Sequence, residues 1–508
     1  MHSRNSNNDN KSSSTNNSCD VLITDAAVVI PKIGIARTDI LIENGKIKDL
    51  RKSTGNTQAS KKINASGKYV LPGVIDPHVH YGVYTPINEA AKTESRSAAV
   101  GGVTTMIRML RLCGSYKDVE KHLRASRGTH HIDYSIHASI LTSNQIKDIT
   151  YLKSMGINSF KIYMNLGADL KHISMDLEPG TYNITSGEVD MTDELISSII
   201  NEAARMDSTV LVHAEDPAVC SDRISKIKAR AQKGGTVNGL AITNVKASGL
   251  KMWSDCRPPS SEAESIIKVA GFAKKFHSKL YFVHIGSTIA IKAILAEKRK
   301  GNCNLFIETC PHYLTHTVEF DDHRGKVVPP LRSKSDVQYM WLALSHGIVN
   351  TIGTDHVANR LSMKVGQGDI WSALSGFPGI ATMLPILLSR GVNENRISLE
   401  KVAEVTSYNT SRIFDLYPKK GTLQRGCDAD LTIVDLNLEQ RVTPELLKSY
   451  SDYTIYDGYR IKGWPVLTMV RGQVVMCDGQ IIDDTSGHGE FIARPIRDAQ
   501  SMGSLACN

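Results

Sequence analysis

Six residues of the chain are of types that hold metal ions or move protons, and each lies at or near the end of a short apolar run. VIDPHVH (74–80) ends in His78 and His80, and SFKIYMN (159–165) carries Lys161 between apolar neighbours. His213 closes TVLVHAE (209–215), His284 closes KLYFVHIG (279–286), and Asp355 closes NTIGTDH (350–356). Side chains at i and i+2 of a strand share a face, so both imidazoles of His78-Val79-His80 can point the same way. Taken singly, these residues have plainer readings. A strand histidine is usually a hydrogen-bonded core residue, and Asp355 could cap a helix. Lys161 resists such a reading, because a charged ammonium in an apolar strand is costly unless paired or chemically altered. Their joint placement points to one site.

What would position them is a parallel α/β fold. Between residues 71 and 409, short apolar strands alternate with amphipathic helical stretches. Besides the five runs above, strands are expected at Thr104–Met109, Tyr134–Leu141 and Asn304–Pro311, which makes eight. Eight strands with intervening helices are the count of a (β/α)8 TIM barrel, whose chemistry collects at the C-terminal strand ends. The flanks differ. Residues 19–70 carry VLITDAAVVI and a hairpin signal at Asn44-Gly45, and residues 410–485 carry ADLTIVDL and PVLTMVRGQVVMCDGQII. Both flanks are expected to build one small β-sandwich. The Asn- and Ser-rich residues 1–18 read as a disordered leader, and 486–508 as a C-terminal tail.

Composition narrows the function class. The 508 residues are 41% hydrophobic and 22% charged, as in a soluble globular protein. No apolar run is long enough for a bilayer, and the leader has no signal-peptide core. The net charge of +8 is dispersed and argues for neither nucleic acid nor membrane as partner. Nine cysteines without a CxxC pair suit a reducing, cytoplasmic setting, and cysteine is not the expected metal ligand.

The motifs VLPGVIDPHVHYG, AAVGGVTTMI, SFKIYMN, VLVHAED, FVHIGS, ETCPHYL, VVPPLRSK and GTDH, in this order, resemble the amidohydrolase superfamily. The resemblance is to its cyclic amidohydrolase branch of dihydropyrimidinases, hydantoinases, allantoinases and dihydroorotases. DCRPPSSEAESI, KGWPVLTMVRGQVV and GHGEFIARP extend it from about Cys19 to Pro495, on the hydantoinase side. It implies that Lys161 is N6-carboxylated and bridges two divalent metals. His78, His80 and Asp355 would hold one metal, His213 and His284 the other. Such ligands suit zinc. It further implies that a hydroxide shared by the metals attacks a ring amide, with Asp355 moving the proton to the departing nitrogen. A homo-oligomer, tetramer or dimer, is expected on the same ground, with a small cyclic amide as substrate.

Departures cluster at substrate positions. The tyrosine that hydantoinases place five residues after the lysine is Leu166 here, the serine before Pro-Pro-Leu-Arg is Val328, and a typical asparagine is Ser375. Dihydroorotases follow the His-x-His motif with Leu-Arg, whereas this chain has Tyr81-Gly82. Arg108, Asn165, His312 and Ser375 are candidate substrate contacts. Arg111 reads more plainly as a surface residue paired with an acid, and Tyr163 as core packing. Dihydroorotase, allantoinase and a non-catalytic scaffold of the same fold are the alternatives, the scaffold disfavoured by a complete ligand set.

Overall fold

The computed structural model describes residues 18–232, 236–237, 240–241, 249–301, 304–320 and 322–495. Residues 1–17 of the expected leader and 496–508 of the expected tail lie outside the described residues. The N-terminal flank forms β1 (Ser18–Ile30), β2 (Gly34–Glu43), β3 (Lys46–Arg51), β4 (Gln58–Asn64) and β5 (Tyr69–Pro72). A register shift between Ile23 and Ala26, with Asp25 at φ 57°, bends β1. Its first half thereby pairs with β4 and its second half with β5.

The barrel follows as β6 (Val74–His80), β7 (Val103–Leu110), β8 (Asp133–Ser139) and β9 (Ser159–Tyr163). A hairpin of β10 (His172–Ser174) and β11 (Ser186–Glu188) then precedes β12 (Thr209–His213), and a second short hairpin is β13 (Thr236–Val237) with β14 (Leu240–Ala241). The ring continues through β15 (Lys279–Phe282), β16 (Leu305–Thr309), β17 (Thr351–Ile352) and β18 (His356–Val357). Neighbouring barrel strands are parallel, and β6 to β9 and β12 are buried at every residue. That burial on both faces is what near-continuous apolar runs produce in a parallel sheet.

The outer helices obey the same logic. In the helix Asp193–Arg205, Ile196, Ile199, Ile200 and Ala203 recur at three- and four-residue spacing and form its buried face. Thr192 caps its start by accepting from the Leu195 N–H at 3.3 Å. Each fully buried isoleucine contributes roughly 1.5–3 kcal/mol of burial free energy.

The eighth strand departs from its expected continuous run of 350–356. It is split: β17 pairs with β16, β18 pairs with β6, and the break falls at Gly353–Asp355. A Cβ on Gly353 would meet Glu308 Oε2 at 2.5 Å, and Asp355 takes a left-handed φ of 51°. The strand expected to carry His284 stops at Phe282, so His284 lies beyond it, and the next strand stops at Thr309 instead of Pro311.

The C-terminal flank adds β19 (Leu431–Arg441), β20 (Arg460–Val470), β21 (Gln473–Cys477) and β22 (Gln480–Ile481). These join the N-terminal strands in one nine-stranded sheet, linked by β19 antiparallel to β5. Residues from both ends, including Ile23, Ile42, Val70, Leu431 and Met469, share a single apolar cluster. The segment from 486 to 495, the first part of the expected tail, runs along β8. Tyr134 N donates to Glu490 O at 2.9 Å and Ile492 N to Tyr134 O at 2.7 Å. Arg494 is buried, donating to Ser159 Oγ at 2.6 Å and Ile136 O at 2.5 Å. These contacts lie at the N-terminal strand ends, the face of a barrel that carries stability rather than chemistry.

The same end holds a buried charge cluster. Lys420 Nζ lies 2.7 Å from Asp133 and 3.2 Å from Asp428 and also bonds Asp430, while Arg471 pairs with Asp133. Burial alone would lower the Lys420 ammonium, but the three carboxylates outweigh it and hold it charged. Three clustered carboxylates are a possible cation site, and here the ammonium supplies the cation. Replacing Lys420 by Met leaves buried carboxylates without their counter-charge. The variant is expected to lose about 3–5 kcal/mol of stability in denaturant unfolding; an unchanged midpoint would show that the cluster contributes nothing.

Candidate metal centre

The C-terminal strand ends open into a cleft of ≈ 430 Å³. His78, His80, Lys161, His213, His284 and Asp355 all line it. The imidazoles form an arc, with ring centroids 5.3 Å apart for His80 and His78, 5.4 Å for His78 and His284, and 4.5 Å for His284 and His213. Asp355 Oδ1 lies 3.2 Å from His78 Nε2 and 3.1 Å from His80 Nε2. His78, His80 and Asp355 are grouped closely enough to hold a single ion. Among the described residues, His284 Nδ1 and Lys161 Nζ are buried without a hydrogen-bond partner. Such orphaned atoms cost free energy in an apolar surround, and a divalent ion fits that need with this all-nitrogen-and-oxygen donor set.

Buried carboxylates aim the rings. His78 Nδ1 donates to Glu308 Oε1 at 2.8 Å, and His213 Nε2 donates to Glu215 Oε2 at 2.7 Å. A carboxylate only accepts, so these bonds place each ring proton and leave His78 Nε2 and His213 Nδ1 as lone-pair donors. Glu308 also accepts from the His284 backbone N–H at 2.9 Å and from Tyr281 OH at 2.8 Å. Arg257 holds Glu215 from the other side at 2.8 Å.

Burial sets the protonation states. It pushes His80 down to about 3 and lowers His213 and His284, so these imidazoles are neutral, which is the ligand form. It lowers Lys161 to about 7, where much of the amine is free base at neutral pH. Burial would raise Asp355, but His78, His80 and His312 outweigh it and hold the carboxyl low. Cys310, just past β16, is pushed up by burial and stays a thiol, an unsuitable ligand form.

The remaining candidates separate. Asn165, Ser375 and the departures Leu166 and Val328 line the cleft, as does Tyr163. His312 is buried against Tyr313 and Phe377 and does not line it. Arg108, expected as a candidate substrate contact, is not among the residues that line the cleft. Its guanidinium donates from Nε to Tyr81 O at 2.9 Å, pairs through Nη2 with Asp176, and is 3% exposed. Gly82, at φ +88°, makes room for it, since a Cβ there would lie 2.7 Å from Arg108 Nη2. Arg111, read above as a paired surface residue, instead lines the cleft.

Glu308, Glu215 and Lys364 were not singled out from the sequence. The first two had the same signal as Lys161, a charge inside an apolar strand or two residues beyond a candidate histidine. Lys364 had none. Its buried Nζ donates to Lys326 O, Leu374 O and Gly376 O at 2.7, 2.6 and 2.8 Å, and so fixes the turn that presents Ser375.

Comparison with known proteins identifies the family. A model described as the amidohydrolase family matches residues 185–475. An L-hydantoinase of Paenarthrobacter aurescens is 31% identical over 484 residues, covering 94% of this chain and 98% of that protein. A D-hydantoinase of Ralstonia pickettii is 27% identical over 491 residues, covering 94% and 99%. The solved structure of an L-hydantoinase (dihydropyrimidinase) from Arthrobacter aurescens superimposes with a TM-score of 0.82 at 29% identity, over 94% of this chain and all (100%) of that one. With the family model spanning more than half of the chain and these relatives nearly all of it, the protein belongs to the amidohydrolase family.

Proposed function

We propose that the protein opens a cyclic amide of the hydantoin or dihydropyrimidine type by metal-dependent hydrolysis. The observation that carries this reading is the buried amine of Lys161, without a hydrogen-bond partner among the described residues, in a cleft lined by His78, His80, His213, His284 and Asp355. The names of the relatives, L- and D-hydantoinase, support the ring amide as the bond attacked. No feature of the cleft favours an allantoinase, a dihydroorotase or a non-catalytic scaffold over this reading.

His78, His80, Asp355 and Lys161 would hold one divalent ion, and His213, His284 and Lys161 a second, with zinc the ion that suits them. When bound, such ions lower the pKa of water by several units and polarise a carbonyl. Lys161, as the free amine, is the form that adds CO2 at Nζ, releasing one proton and turning an unpaired donor into an anionic two-oxygen ligand. Asp355 accepts the proton of the attacking water at its carboxylate and returns it to the ring nitrogen as the C–N bond breaks. The products are a carboxylate and a ureido group. Asn165 and Ser375 offer polar contacts to the ring edge, and Leu166 and Val328 supply apolar walls. Ile267, Ile289 and Leu342, exposed on three outer helices, suit the contact surface of a homo-oligomer.

The test is a screen of dihydrouracil, hydantoin, allantoin and dihydroorotate with protein prepared in bicarbonate and zinc. Turnover of hydantoin or dihydrouracil is expected, abolished by chelation, restored by added metal, and absent in Lys161→Ala. A metal-replete protein inert on all four would sink the cyclic-amide reading. Separately, Glu308→Gln replaces the carboxylate that fixes the His78 proton. Metal affinity is expected to fall about 10–100-fold with the circular dichroism spectrum retained, as read by chelator competition; unchanged affinity would dismiss Glu308 as an orienting group.

A further inference from the structure

Arg257 and Glu262 come from the motif DCRPPSSEAESI, and Arg332 comes from VVPPLRSK. All three are buried, and with Glu215 they form a network of two basic and two acidic side chains. One end of it reaches His213. Glu215 Oε2 accepts from His213 Nε2 at 2.7 Å and from Arg257 Nη1 at 2.8 Å. The other end reaches Ser287, whose Oγ donates to Glu262 Oε2 at 3.1 Å. Arg332 joins the two ends. Its Nη2 donates to Glu262 Oε2 at 2.7 Å and its Nη1 to Arg257 O at 2.6 Å. A planar guanidinium making both bonds holds its two acceptors at a fixed separation.

Ser287 matters because of where it lies. It caps the helix Thr288–Arg299, accepting from Ala290 N at 3.2 Å, and His284 is three residues before it. The turn from His284 to Ser287 is pinned at its first residue by Glu308, which accepts from His284 N, and at its last by Glu262. The supports of His213 and His284 therefore meet at Arg332. The other ligand group is supported differently. Glu308 accepts from the His78 ring, and Asp76 ties His78 N to Thr354, next to Asp355. Neither Arg332 nor Glu262 takes part in those bonds. A buried ion pair returns little net stability after desolvation. Its hydrogen bonds do fix distances, and here the distance fixed is that between the supports of two candidate ligands.

We propose that the Arg332–Glu262 pair is a positioning element for the ion held by His213 and His284, setting its affinity without touching either imidazole and leaving the ion at His78, His80 and Asp355 unaffected. The inference rests on the two-ion reading above and divides that centre into halves with separate supports.

The test follows metal content per protein during chelator titration of the zinc-loaded full chain prepared in bicarbonate. In Arg332→Gln, the affinity of one ion is expected to fall about tenfold, the low end of the range for groups that orient ligands, while the other ion is retained as before. Double variants identify the ion affected. Adding Arg332→Gln to His284→Ala is expected to change nothing further, whereas adding it to His80→Ala weakens the remaining ion by the same factor. Arg332→Lys should recover part of the loss, since the charge facing Glu262 returns without the second prong to Arg257 O. If Arg332→Gln does not fold, Arg332→Lys and Glu262→Gln carry the same comparison, with circular dichroism as the check. Parallel weakening of both ions, weakening of neither, or further loss in the His284→Ala background would overturn the proposal and leave the two-ion reading standing. An unaltered protein that never holds more than one ion would overturn the two-ion reading and this proposal with it.

Discussion

The carboxylate of Asp76 is the joint on which the barrel closes. It accepts from His78 N and Thr354 N at 3.1 Å each and from Thr354 Oγ1 at 2.6 Å. These bonds replace the ladder that the eighth strand gives up at its break, so the first and last strands are held together through a side chain. A continuous strand would direct Asp355 according to the pleat. The break instead allows its left-handed conformation, which brings the carboxylate within 3.2 Å of two imidazoles on β6. The strain at one residue and the grouping of His78, His80 and Asp355 thus have a common origin.

Around that joint, the interior is arranged as a set of charges with assigned partners and a few deliberate vacancies of pairing. Glu308 aims His78 and the start of the His284 turn, and Glu215 aims His213 while Arg257 steadies it. At the opposite end, Lys420 and Arg471 neutralise a carboxylate cluster, and Arg494 satisfies backbone and hydroxyl acceptors at the base of β8 and β9. Against this background of completed pairs, Lys161 Nζ and Arg111 Nε lie buried without a hydrogen-bond partner among the described residues. Low polarizability around them makes an external partner worth more than it would be at the surface.

The parallel barrel was legible because its strands are buried on both faces and read as apolar runs, and because polar residues at their ends interrupt that pattern. Boundaries were less legible. His284 adopts φ 43° and Asp355 φ 51°, conformations set by what each residue must avoid and reach, not by their own propensities. The two arginines show the limit most plainly. Three residues apart on one strand end, they have similar sequence surroundings, and the sequence favoured Arg108 as the open question and Arg111 as the paired one. Asp176, from a distant loop, pairs with the Arg108 guanidinium, while Arg111 lines the cleft.

From the sequence alone came the alternation of barrel strands and helices, the meeting of both chain ends in one small β-domain, expected as a sandwich, and the placement of histidines, lysine and aspartate near strand termini. These follow from hydrophobic periodicity and from the cost of burying charge, both of which are local in sequence. Only the tertiary structure decided which carboxylate faces which cation, which ring nitrogen is left with a lone pair, and where the ring of strands breaks. Those outcomes depend on distances between residues far apart in the chain, where a few ångströms separate a neutralised charge from a free one.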